Sequence, residues 1–231
     1  MRLEIAAENA VILYSEEAEL QTANQVVQSW YQALLPLRDG ELIQRLIPAY
    51  RSVLIEFPQI IQSFEETRTW LFDLLTQAER SSVVTLPQPK YIELPVCYEA
   101  GLDFDLSRLA DAKGLSIEQV ISLHSEVDYQ VFAIGFAPGF AYLGEVAKAL
   151  HMPRLETPRK RVPAGAVAIA DNQTAVYPAA SPGGWNIIGL CPTPLFTPEQ
   201  SPPMPFSVGD RIRFIPISAS QFLNMGGQWY E

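Results

Sequence analysis

In QTANQVVQSWYQALL, residues 21–35, the apolar positions Val26, Val27, Trp30, Tyr31, Leu34 and Leu35 recur three and four residues apart. That spacing gathers them on one face of a helix. Pro36 follows and is expected to end it. QIIQSFEETRTWLFDLLTQAE, residues 59–79, repeats the pattern through Ile60, Ile61, Phe64, Leu71, Leu74 and Leu75. Around these stretches lie four short apolar runs, LEIA, AVILY, LIQRLI and SVLIEF, whose length and β-branched content suit strands. The order is strands, helix, strands, helix. It predicts a small α+β domain over residues 1–85 with a split β-α-β arrangement.

The pattern changes after SSVVTLPQPK, residues 81–90, a segment of low periodicity that reads as a linker. Of 19 prolines 14 follow it, and of 13 glycines 12 do. Dense Pro and Gly punctuation between short apolar runs predicts a mainly-β barrel or sandwich over residues 86–231. YQVFAIGF, GAVAIAD, TAVYP, NIIGL and DRIRFIP are its strand candidates, and Asp171-Asn172 falls where a tight hairpin turn belongs. Two helices open this half. Asp105 is expected to cap DLSRLADAK and Gly114 to end it. Ser116 with Gln119 three residues on forms a capping box for SIEQVISLH.

Composition narrows the picture. With 48% apolar and 18% charged residues, the chain can build a real core. A formal charge of −10 repels phosphate backbones, so nucleic acid is not an expected partner. No apolar run reaches the length of a membrane span, and the first 17 residues lack the apolar stretch of a secretion signal, so the expected location is the cytoplasm. Two cysteines far apart, Cys97 and Cys191, rule out a disulfide framework and a cysteine-built zinc site.

Familiar catalytic motifs are missing. The sequence has no P-loop, no dinucleotide-binding glycine pattern, no nucleophile elbow and no HExxH. Its only histidines are His124 and His151, too few for a histidine-rich metal site, and no metal is expected. His124, ending its helix, has two readings: a packed residue facing the negative end of the helix dipole, or a ligand contact. His151 is expected in a solvated loop.

RLETPRKRVPAG, residues 154–165, sets Arg154, Arg159, Lys160 and Arg161 against Glu156 alone, a local charge of +3 in an acidic protein. It reads either as a solvated loop or as a site for a carboxylate or phosphate, which the planar guanidinium fork suits. GFAPGFAYLG supplies Phe136, expected in the core, and Phe140 and Tyr142, which fit either a pocket wall or a plug of the barrel end. Gln173 and Asn186 are candidates for orienting polar contacts. SPGGW, residues 181–185, reads as a rigid turn aiming Trp185 into a core or over a ligand, its glycines supplying backbone freedom.

Taken together, LHSEVDYQVFAIGFAPGFAYLG, RLETPRKRVPAGAVAIADNQTAVYP and SPGGWNIIG resemble the allophanate hydrolase subunit 1 or KipI family. The resemblance is strongest over residues 120–190. It implies a cyclophilin-like barrel for the second domain. It also implies one component, inactive alone, of an ATP-dependent complex that hydrolyses 5-oxo-L-proline to L-glutamate. Within that complex it would work beside a C-type relative (KipA-like, allophanate hydrolase subunit 2) and an A-type relative. ATP chemistry would then belong to the complex. Arg159, Arg161, Gln173, Trp185, His124, Phe140 and Tyr142 become the candidate contacts for a small carboxylate substrate. Other family roles leave two alternatives, an inhibitor of a sensor histidine kinase and a component of a urea carboxylase or allophanate hydrolase-like amidohydrolase. The chain departs from the family pattern at Glu99, Ala100, Asp103, Phe104 and Ala175. The last of these is expected to reshape the 171–175 hairpin.

Overall fold

The computed structural model describes residues 1–80, 87–99 and 104–229. The chain forms two compact units, Met1–Gln88 and Pro89–Glu231. Most of the linker segment (81–86), together with Ala100 and Asp103, lies outside the described residues.

The first unit contains β1 (Arg2–Ala7), β2 (Ala10–Tyr14), α1 (Leu20–Asp39), β3 (Arg45–Pro48), β4 (Ser52–Glu56) and α2 (Phe64–Arg80). Its sheet runs β1-β2-β4-β3, and every neighbouring pair is antiparallel. Strands β2 and β3 are therefore parallel to each other, joined by α1, with β4 inserted between them. Alternation along the strands sends Val11, Leu13, Val53 and Ile55 to one face, where they pack with Val27, Trp30 and Leu34 of α1 and Leu71 and Leu75 of α2. Pro36 does not end α1. The helix runs three residues further, because a proline in the last turn forfeits a single backbone bond and its fixed φ is helical. The carbonyl of Pro36 accepts the N–H of Gly40 at 2.9 Å, closing the end. Helix α2 starts at Phe64, later than periodicity suggests, with the Ser63 hydroxyl accepting from the Glu66 N–H.

The second unit contains β5 (Tyr91–Cys97), α3 (Leu106–Lys113), α4 (Ile117–Ser125), β6 (Tyr129–Ile134), β7 (Ala141–Gly144), β8 (Arg159–Val162), β9 (Ala166–Ala170), β10 (Gln173–Val176), β11 (Ser181–Gly183), β12 (Asn186–Leu190), β13 (Arg211–Ile217) and α5 (Ala219–Asn224). Seven strands close into a barrel in the order β10-β7-β6-β13-β5-β12-β9. Strands β5 and β13 pair in parallel over seven residues, and the other barrel pairs are antiparallel. Strands β8 and β11 form a separate ribbon. The capping box of Ser116 and Gln119 forms, and Gly114 ends α3 in the left-handed conformation.

Alternation splits β9 between two clusters. Val167 and Ile169 join a core to which all seven barrel strands contribute, together with Leu109 of α3 and Val120 of α4. Ala166, Ala168 and Ala170 point the other way and join Ala175 of β10 under a second, outer cluster. That outer face carries the candidate site. The hairpin from β9 to β10 turns through Asp171 (φ 54°) and Asn172, so the family departure at Ala175 leaves it intact: Ala175 lies three residues past the turn, buried in the ladder opposite Ala168.

Candidate functional site on the outer face of the barrel

Alanines at 168, 170 and 175 make a low floor on which aromatic rings pack. Phe140 is the hub. It meets Tyr142 at 4.9 Å between centroids, Tyr177 at 5.2 Å and Trp185 at 5.7 Å, each at the steep angle that aromatic quadrupoles favour. Tyr142 also lies 6.0 Å from Trp185. Trp185 is 5% exposed and Phe140 2%, so both belong to a packed cluster. Phe136, expected in the core, instead stands 63% exposed beside it, on a backbone with a φ of 71°.

The SPG of SPGGW is strand β11 and not a turn. It pairs with β8, Ser181 opposite Val162 and Gly183 opposite Arg159. Neither Gly183 nor Gly184 takes a positive φ. Gly183 is required for close approach instead: a Cβ there would sit 2.3 Å from the Tyr177 hydroxyl. The Trp185 backbone hydrogen-bonds that hydroxyl. Burial raises the Tyr177 phenol above its ordinary range, against the opposing pull of this bond and of Arg154 and Arg159.

The basic segment is not a solvated loop throughout, since Arg159–Val162 is a strand. Arg159 reaches Asp105 at 2.8 Å and lies 3.5 Å from the Trp185 carbonyl. Asp105 occupies the N-cap position of α3 yet makes no capping bond. Its buried carboxylate accepts from the Ile187 N–H at 2.8 Å and from Arg108 at 3.2 and 3.3 Å. Arg108 also donates to Asn186, whose side-chain amide donates to the carbonyls of Pro153 and Ile169 at 3.0 and 2.9 Å. The capping expectation fails because two guanidiniums and an amide 82 residues away outcompete the local N–H groups for one buried carboxylate. Two arginines on one aspartate leave this edge cationic. Arg154 adds to it, its guanidinium 5.8 Å from the Trp185 ring centroid. Arg161 lies exposed two residues along β8 from Arg159, and Gln173 is half-buried at the start of β10 on the same outer face as Ala175 and Tyr177.

His124 is elsewhere. It is fully buried in the barrel, stacked on Phe214 at 4.6 Å. The Tyr98 hydroxyl bonds Nδ1 at 2.7 Å, and Nε2 bonds Thr174 Oγ1 at 2.8 Å. Thr174 donates its own proton to the Ala168 carbonyl, so it accepts from Nε2–H, and Nδ1 accepts from Tyr98. Burial lowers the imidazole pKa to about 3. With both nitrogens engaged and no surface, His124 is a core residue and touches no ligand. His151 is half-buried, its Nε2 3.2 Å from the Val146 carbonyl. Among the described residues no group of three or more His, Cys, Asp or Glu side chains is placed to hold a metal ion.

Of the residues that the sequence offered as candidates, the structure brings Phe140, Tyr142, Trp185, Arg159 and Asn186 onto or beside this face, and the sequence offered no such place for Asp105, Arg108 or Tyr177. Arg108 carries no signal of its own, since an arginine at an exposed position in the first turn of an amphipathic helix is commonplace.

An α+β unit is thus followed by a closed barrel that carries an aromatic cluster and a cationic edge on its outer wall. The chain belongs to the family described as carboxyltransferase domain, subdomain C and D, whose model matches residues 1–206. The family resemblance read from the motifs therefore holds. The chain is 37% identical over 186 residues to the B-type subunit of 5-oxoprolinase from Bacillus subtilis (strain 168), covering 76% of each chain. It is 47% identical over 130 residues to the corresponding B-type subunit from Escherichia coli O157:H7, covering 56% of this chain and 60% of that one. Among solved structures, TTHA0988 matches at a TM-score of 0.76 and 35% identity over 91% of this chain, which spans 40% of TTHA0988. The conserved uncharacterized protein PH0987 from Pyrococcus horikoshii is covered along 100% of its length at 37% identity and a TM-score of 0.56. The K. lactis urea amidolyase, at 15% identity and a TM-score of 0.71, shares the fold over 96% of this chain and 15% of its own.

Proposed function

We propose that the chain is the B-type subunit of an ATP-dependent 5-oxoprolinase and acts with C-type and A-type subunits to hydrolyse 5-oxo-L-proline to L-glutamate. The observation that carries this reading is the 37% identity to the Bacillus subtilis 5-oxoprolinase chain across three quarters of both proteins. The site chemistry supports it. The substrate is a compact lactam bearing a carboxylate. The cationic edge suits the carboxylate, and the rims of Trp185 and Tyr142 suit the ring. Arg154 and Arg161, the exposed cations, take the carboxylate in this reading. Arg159, held by Asp105, orders the edge and the Trp185 backbone, and Gln173 orients polar atoms of the ligand.

Hydrolysis breaks the lactam C–N bond and adds water across it. Amide resonance makes that carbonyl a poor electrophile, which is why coupling to ATP is chemically reasonable. The sequence carries no nucleotide-phosphate motif, so the reading gives ATP to the partner subunits and leaves the isolated chain inactive. The barrel is read as cyclophilin-like and the site of action as the cytoplasm. Two free buried thiols fit a reduced compartment, and no described helix is long and apolar enough to cross a membrane.

The test is affinity capture of the tagged chain from its own cells, followed by ADP release measured with and without 5-oxoproline. Stimulated ADP release with glutamate formed is expected. An intact complex that ignores 5-oxoproline overturns the assignment and leaves another amide substrate or a kinase-binding role.

A further inference from the structure

We infer that Phe136 is a wall of the ligand site, its ring held out from the barrel to lie against the lactam ring of the substrate. This rests on the 5-oxoprolinase reading above. Phe136 breaks two rules at once. Its φ of 71° is a left-handed conformation in which a Cβ crowds the backbone. Its ring is 63% exposed, so burial does not offset that strain. The same turn shows what backbone demands alone produce. Gly139, at φ 84°, is a glycine, and a Cβ there would come within 2.8 Å of the Leu195 carbonyl. At Phe136 a large aromatic occupies a position that glycine would take with less strain, and such a backbone outlier points to function.

The ring is not a free loop tip. It meets Phe140 edge-on at 5.2 Å and Tyr177 at 6.3 Å, which makes it the exposed member of the cluster that contains Trp185. Tyr177 ties the two ends of this surface. Its ring faces Phe136, while its phenol bonds the Trp185 backbone within the field of Arg154 and Arg159. An apolar flat wall continuous with a cation-bearing aromatic edge suits a small ring that carries a carboxylate. It does so better than an extended apolar partner surface would, which has no use for the cation.

The test uses Phe136→Gly and Phe136→Asn in the full chain, each assembled with its A-type and C-type partners. Both residues tolerate a positive φ. The thermal midpoint is expected to hold or rise, co-elution with the partners to be unchanged, and KM for 5-oxoproline to rise roughly tenfold with kcat changed less. Phe136→Tyr should restore KM. Wild-type KM in both variants overturns the inference while leaving the 5-oxoprolinase reading in place. Loss of co-elution overturns it in favour of a contact between subunits, and a fallen midpoint in favour of packing. A wild-type complex without 5-oxoproline-dependent ADP release overturns the reading itself and removes the lactam with it.

Discussion

Acidification from about pH 7.5 to about pH 4.5 should remove on the order of 3 kcal/mol of folding stability through His124 alone. In the unfolded chain the imidazole takes up a proton below its ordinary pKa of 6.5, whereas in the folded protein it does so only near 3. Between these values the unfolded state binds more protons, so stability falls as pH falls. Two pH units below 6.5, at about 1.4 kcal/mol per unit, give the figure. The cause is structural. The ring has no solvent contact, is stacked on Phe214, and offers Nδ1 only to the Tyr98 hydroxyl. His124→Gln removes the titrating group and keeps an acceptor and a donor. Carboxylates also titrate in this range, so the decisive quantity is a double difference: urea unfolding of both proteins at both pH values, wild-type loss minus variant loss. A double difference of about 3 kcal/mol is expected. If the variant loses as much as the wild type, the neutral buried imidazole is refuted.

Gly183→Ala should destabilise the second unit by roughly 1–3 kcal/mol, because the new methyl meets the Tyr177 hydroxyl. Tyr177→Phe in the same chain should recover part of that loss, and denaturant midpoints of the four proteins of the cycle test it. Asp105→Ala leaves Arg159 and Arg108 without their shared carboxylate and should cost on the order of 3 kcal/mol, whereas Arg154→Ala, at an exposed 3.9 Å pair, should stay within about 0.5 kcal/mol and lower activity of the complex only. Cys97 and Cys191 are buried and their thiols are raised above the ordinary pKa by desolvation, so a thiol-reactive dye should label neither until the protein is unfolded.

Short-range periodicity carried much of this protein. The apolar stripe through Val27, Trp30 and Leu34 makes α1, the Ser116 and Gln119 pair caps α4, Gly114 ends α3, and Asp171-Asn172 turns the hairpin between β9 and β10. These features depend on residues within about one turn of each other, and their physics is complete in the local sequence. The motif order was likewise enough to place the chain in its family.

Tertiary structure decided the rest. Asp105 looks like a cap because its neighbours are a helix start, and it becomes the partner of Arg159 and of the Ile187 amide only when β8 and β12 are brought to it. SPGGW looks like a turn because Pro and Gly cluster there, and it becomes a strand because β8 supplies a ladder. His124, at the end of an amphipathic helix, reads as either a packed residue or a ligand contact, and the first holds because Phe214, Tyr98 and Thr174 arrive from three different strands or their ends. In each case the deciding partner lies tens of residues away. Local propensity has no term for such a partner, and only the folding of the second unit, its barrel and the β8–β11 ribbon together, brings it within bonding distance.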